Sequence, residues 1–243
     1  MENYEPGMSF GKDAAEIYDD VPRGDEPATV AFLEELAGGG PALELAIGTG
    51  RIALPLAARG IRVDGIDISP AMVAKLHEKP GGDQLSVTMG NFADVPVQGS
   101  YRLVFLVFNT LFNLLTQEEQ VRCFENVAAH LTDDGSFVVE AFMPTFLTRL
   151  RSDQYVDAET IGVNEVWFDV GRHDPVAQRL DETHVRLTSE GVRLYPIVTR
   201  YAWPSELDLM ARIAGLRLND RCADWNREPF NSTSSRHVSV YGR

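Results

Sequence analysis

Cysteine, basic side chains and long apolar runs are all scarce in this chain of 243 residues. The two cysteines, Cys123 and Cys222, lie far apart with no metal-ligand spacing, which speaks against a zinc site and a disulfide framework. Reduced, buried thiols in a reducing cytoplasm are the expectation. Although 44% of the residues are hydrophobic, no uninterrupted run approaches the roughly 18 residues of a membrane span, so a soluble protein without a membrane partner is expected. The opening Met1-Glu2-Asn3-Tyr4-Glu5-Pro6-Gly7 is acidic and polar, unlike a secretory signal. Lys and Arg number 22 against 36 Asp and Glu, for a formal charge of −14. Nucleic-acid binding draws on cations that neutralise phosphates, so a polyanionic partner is disfavoured, and Arg149 with Arg151 is the nearest approach to a basic patch.

What the chain does have is alternation. Ser9 to Leu36 carries helical spacing interrupted at Val21-Pro22-Arg23-Gly24, and Gly38-Gly39-Gly40-Pro41 stops the second helix. Strands are then expected at 41–46, 61–66, 84–89, 101–108 and 136–142, with helices at 50–59, 70–78 and 116–131 and a turn at Thr132-Asp133-Asp134-Gly135. Such alternation predicts a parallel sheet with right-handed crossovers. Beyond Pro144 the pattern changes to strands at 163–170, 179–188 and 192–203, joined by turns at Arg172-His173-Asp174-Pro175 and Ser189-Glu190-Gly191. A helix over 206–214, capped by Trp203-Pro204-Ser205-Glu206 and ended by Gly215, precedes two last strands at 216–223 and 237–241.

The most informative stretch is Pro41 to Arg51, an apolar strand closed by Gly48-Thr49-Gly50. Glycines here admit backbone angles and a close main-chain approach to a ligand that a side chain would block. The next strand ends on Asp67, 23 positions after Glu44, where a carboxylate can accept from both hydroxyls of a ribose. Ser69 is the better cap for the helix that Pro70 opens, which frees Asp67 for a ligand. Glu44 lies in an apolar strand and needs a hydrogen-bond partner or an opposing charge; a role in holding the glycine turn and a role facing a cationic ligand both remain open.

Glu44-Leu45-Ala46-Ile47-Gly48-Thr49-Gly50-Arg51 resembles the glycine motif of class I S-adenosylmethionine-dependent methyltransferases. Val63 to Met72 is similar to that family's second segment, with Asp67 as its ribose acid, and Met89 to Asp94 to its adenine-contacting loop, with Asn91 where an Asp is more usual. The resemblance covers residues 41–142. It implies one domain over 1–243, α/β in class, with a seven-stranded, mostly parallel, doubly wound sheet and an antiparallel lid inserted after the fifth strand. It also implies S-adenosylmethionine as cofactor, gripped by Glu44, Ala46, Gly48 and Gly50, by Asp67, Ile68 and Met72, and by Asn91, Phe92 and Phe108, with Asp94 placed for the exocyclic amine and Tyr18 from the N-terminal helices. A dinucleotide enzyme of NAD type stays open as an alternative, because Ala53 at the third glycine position is a permitted variant; so does a catalytically silent donor-binding protein.

The acceptor is expected to be a small molecule enclosed by the lid, methylated on nitrogen or oxygen. Phe108-Asn109-Thr110 lacks the Asn-Pro-Pro-aromatic pattern of nucleic-acid amino-methyltransferases. His173, His184 and His237 are the candidates for a general base, although packing accounts for most histidines. Trp167, Trp203 and Trp225 fit either an aromatic pocket or the core. No metal is expected, and a homodimer is admissible.

Overall fold

The computed structural model describes residues 1–2, 4–20 and 23–243. Val21 and Pro22 of the expected helix break lie outside the described residues. The N-terminal helices are a short 3-10 turn at Pro6–Phe10, α1 at Lys12–Ile17 and α2 at Glu26–Ala37. The chain then alternates through β1 (Ala42–Leu45), α3 (Ala53–Ala58), β2 (Val63–Asp67), α4 (Pro70–His77), β3 (Ser86–Met89), β4 (Tyr101–Leu106), α5 (Gln117–His130) and β5 (Leu131–Phe142). Four strands follow, β6 (Gln154–Ile161), β7 (Glu165–Asp174), β8 (Arg179–Thr188) and β9 (Gly191–Arg200), and then α6 (Pro204–Ile213), β10 (Arg217–Cys222) and β11 (Arg236–Gly242).

The main sheet has seven strands in the order β10-β11-β5-β4-β1-β2-β3, and β11 runs antiparallel to both of its neighbours. Its central strands are buried on both faces, as parallel strands between helical layers must be. Side-chain alternation divides the core in two. Leu43, Leu45, Val104 and Val139 pack towards α5 and α6, where Phe124, Leu207 and Met210 meet them. Ala42, Leu103, Phe105 and Val138 pack towards α2, α3 and α4, against Leu33, Leu56 and Leu76. The ends of the helices agree with their sequences. Ser69 accepts from the Met72 amide at 3.2 Å, Thr116 and Glu119 form a reciprocal capping box, and Gly215, at φ +77°, ends α6 with Leu216 N–H donating to the Ala211 carbonyl at 2.7 Å.

Strands β6 to β9 form a separate antiparallel sheet inserted between β5 and α6. Several local expectations are corrected. The 50–59 helix begins only at Ala53, because Gly50 adopts φ +77°. Thr132–Gly135 is not a free turn; it is looped out within β5, where the pairing jumps from Tyr101↔Leu131 to Leu103↔Ser136. The β7–β8 turn falls at 175–178 because Asp174, still in the strand, accepts from the Val176 and Ala177 amides at 3.0 Å. Helix α6 begins at Pro204, two residues before the expected start, with Trp203 as its N-cap and no side-chain bond. Strand β6 and the 3-10 turn Pro144–Arg149 were not expected; β6 is an exposed edge strand whose alternation is interrupted by a bulge between Ala158 and Thr160.

Candidate functional site

A cavity opens at the carboxyl ends of β1, β2 and β4, enclosing about 720 Å³ with its mouth included. Brought together around it are Ala46 and Gly48 after β1, Asp67 and Ile68 at the tip of β2, Met72 on α4, Asn91 and Phe92 after β3, and Tyr18. Backbone strain marks the same strand ends. Ala46 has φ +58°, and Phe108 and Asn109 after β4 have φ +54° and +62°, a conformation that costs a non-glycine residue about 1–3 kcal/mol. The second pair is held in place by buried partners: Glu140 accepts from the Phe108 amide at 2.7 Å, and Asn109 Oδ1 accepts from the Phe142 amide at 2.6 Å.

Asp67 is the polar centre of this arrangement. Its Oδ2 accepts from Gly48 N–H and its Oδ1 from Ser69 N–H, both at 2.7 Å, so one carboxylate ties the glycine turn to the start of α4. Burial pushes its pKa up while these amides pull it down. Ser69 also donates to the Phe10 carbonyl at 2.5 Å, and Thr49 donates to Asp19 at 2.8 Å. These bonds seat the N-terminal segment, with Phe10 and Tyr18, over the cavity.

Glu44, Gly50 and Phe108 do not line the cavity. Gly50 is a packing glycine, since a Cβ there would fall 2.3 Å from Leu76 Cδ1. Glu44 points into the α2–α3 side of the core, 2% exposed, and its Oε2 has no hydrogen-bond partner among the described residues. Burial raises its pKa to about 8 against the charge of Arg51 and an amide at Ala53. A second orphan is Arg23, a residue the sequence did not single out. Its guanidinium lies 3.2 Å from the Phe108 ring centroid and 5.0 Å from that of Tyr18, and its Nη1 is buried without a partner among the described residues. Burial lowers its pKa. The neighbouring Arg51 is satisfied, paired at 3.0 Å with both Asp25 and Glu26.

Other expected residues are used elsewhere. Asp94 is paired with Arg122 on α5 at 2.8 Å and is not among the cavity residues. None of the three histidines lines the cavity. His237 is fully buried on β11, bonded to Ser239 Oγ at 2.8 Å, with burial taking its pKa down to about 3. His173 contacts the Tyr201 hydroxyl at 3.0 Å, and His184 is paired with Asp169. Of the tryptophans, Trp225 packs edge-on to Phe32 in the core, and Trp167 stacks on Tyr195 in the second sheet. Sequence reasoning missed Phe10, Asn113, Leu114 and Glu119 in the cavity wall. Only Glu119 left a readable sign, the Thr116-x-x-Glu119 spacing.

A methyltransferase domain family matches residues 42–135, the stretch that builds the glycine turn, Asp67 and the walls after β3 and β4. The structure of the CcbJ methyltransferase from Streptomyces caelestis is 38% identical, with a TM-score of 0.93 over 98% of this chain and 99% of that one. The SAM-bound structure of CalS10, an amino pentose methyltransferase from Micromonospora echinaspora, is 20% identical and shares the fold, with a TM-score of 0.69 over 100% and 99% of the two chains. A cypemycin N-terminal methyltransferase from Streptomyces sp is 24% identical over 83% of this chain and 82% of its own. With its strand order, its glycine turn and acid, and this likeness along nearly its whole length, the chain belongs to the class I S-adenosylmethionine-dependent methyltransferases.

Proposed function

We propose that this methyltransferase acts on an amine nitrogen of a small molecule, chiefly by positioning. The carrying observation is the chemistry of the cavity wall. Its carboxylates are Asp67 and Glu119. Both oxygens of Asp67 accept backbone amides, and Glu119 Oε2 accepts from the Leu115 and Thr116 amides and from Thr116 Oγ1. Carboxylates so engaged are committed to holding the chain, and the wall has no imidazole. A hydroxyl acceptor requires a base, whereas an amine arriving neutral brings its own lone pair. The names of the cypemycin and amino pentose enzymes point to amines as well.

S-adenosylmethionine, when bound, supplies a methyl carbon on a cationic sulfonium that leaves as a neutral thioether. In this reading Asp67 holds the ribose, and Met72, Asn91 and Phe92 hold the purine. The two orphans lie behind the cavity lining, and in this reading the amino-acid end reaches past the glycine turn to them, its carboxylate towards Arg23 and its ammonium towards Glu44. The strained tips at Ala46 and Phe108 fix the approach line, and Phe10 and Tyr18 exclude water.

The inner face of the second sheet adds to this reading. Glu159, Asp169 and Glu182 surround His184 there, beside Trp167 and Tyr195, a surface suited to drawing in an ammonium. The test is incubation of the purified protein with methyl-labelled donor and a panel of matched amines and alcohols, with products located by mass spectrometry. Label on nitrogen is expected. Label on oxygen would overturn the amine reading, and donor binding without any labelled product would return the chain to a silent binder.

A further inference from the structure

The geometry points to a two-fold homodimer in which the outer face of the second sheet packs against the same face of a second copy. In the register of β6 to β9, Val156 pairs with Val170, Ile161 with Val166, and Leu187 with Val192, all on the side opposite Glu182 and His184. Phe168, Val185 and Leu194 form the row between them. Every side chain across these three rows is uncharged. This is the pattern of the inner face of a β-sandwich, yet among the described residues no second sheet covers it: Val185 at its centre is 8% exposed, but Ile161, Val156, Leu194 and Val192 around it are 81, 70, 63 and 59% exposed.

The exposed apolar side chains amount to roughly 600 Å² per copy, at the upper limit of what a monomer shows and approaching the roughly 800 Å² per partner of a standard interface. Charge begins at one end of the face, where Asp181 binds Arg172 at 2.8 Å, Arg179 at 2.7 Å and the Met1 amino group, as in the polar rim of an interface. A second copy suits this face better than a charged partner. The chain carries −14 overall, so an uncharged patch is where two copies meet without repulsion, and the patch offers no cations to an anionic surface. Edge-to-edge pairing at β9 is blocked, because the Pro6–Phe10 turn covers that strand and Ser9 donates to the Pro196 carbonyl at 2.8 Å. Face-to-face packing at about 30° closes an eight-stranded sandwich, with each copy contributing the same residues.

Sedimentation equilibrium on the whole protein tests this, with a mass of twice 26.9 kDa expected across the micromolar range. The double variant Val156→Asp with Leu194→Asp places charge on two exposed outer positions and should run at the mass of one chain. Arg193→Glu, on the inner side of β9, should leave the dimer in place. S-adenosylhomocysteine affinity within about threefold of wild type in all variants confirms intact folding. A monomeric wild type overturns the proposal, as does a double variant that still dimerises.

Discussion

The main sheet and the second sheet use their residues in opposite ways. At the carboxyl ends of β1, β2 and β4 the working parts are main chain: the Gly48 amide on Asp67, the Phe108 amide on Glu140, and left-handed turns at Ala46 and Asn109. The strands behind them are buried on both faces, so side chains there are committed to packing, and only strand ends are free to meet a ligand. In the second sheet the ends are ordinary hairpin turns and the chemistry lies on the faces, acidic and aromatic within, apolar without. A sheet fixed to a second copy would be a wall of the acceptor site more than a moving flap.

The largest effect that would break this contrast is at Gly48. Gly48 and Gly38 have nearly the same backbone, φ +56° and +54°, and a Cβ at either meets no protein atom closer than 4.0 Å. Alanine at either position should therefore cost about the same stability, 1–2 kcal/mol for a left-handed residue. Only the Cβ at Gly48 stands in the ligand cavity. Calorimetry with S-adenosylhomocysteine should show about a 100-fold loss for Gly48→Ala, or about 2.7 kcal/mol, and little change for Gly38→Ala. Equal losses would remove the glycine turn from the donor site.

The same contrast explains what was legible in the sequence. Strand ends in an α/β sheet are announced by local signals, so Gly48, Asp67 and Ser69 could be read from a few residues of context. Phe10 and Asn113 reach the cavity through tertiary placement, which no local spacing encodes. Arg23 was invisible because its meaning lies in three dimensions, where its Nη1 is buried without a hydrogen-bond partner among the described residues while Asp25 is paired with Arg51. The two-faced character of the second sheet required the register: Val156-Asp157-Ala158-Glu159 alternates in plain sight, but the bulge between Ala158 and Thr160 shifts the phase before Ile161.

An intermediate effect is expected at Glu44, where stability and binding should move in opposite directions. Its folded pKa of about 8 lies above the ordinary value of 4.5, so between those pH values the folded state binds more protons than the unfolded one. Stability therefore falls as pH rises from about 4.5 to about 8. Glu44→Gln should abolish that slope, matching wild type near pH 4.5 and exceeding it at pH 8 by about 1–3 kcal/mol in urea titrations. Donor affinity should fall about tenfold in the same variant, the pattern of a group kept for function at a cost in stability. A variant that gains stability without losing affinity would reduce Glu44 to a core residue.

The smallest effect should come from His184→Gln. Bonding to Asp169 raises the imidazole pKa above its ordinary 6.5, with Glu159 and Glu182 adding to the shift. The pair therefore stabilises the fold fully below about pH 6.5 and loses that contribution as pH rises through the raised value. Because the side chain is 36% exposed, solvent screening holds the contribution to about 1 kcal/mol or less. Thermal scans should separate wild type from the variant at pH 5.5 and bring them together at pH 9. Donor affinity should not change, since His184 is outside the cavity, and turnover should fall by less than about tenfold, below the 10²-fold scale of a lost general base. A loss of about 10² or more with donor affinity and fold intact would give His184 the proton-accepting role and carry catalysis across from the strand ends to the face of the second sheet.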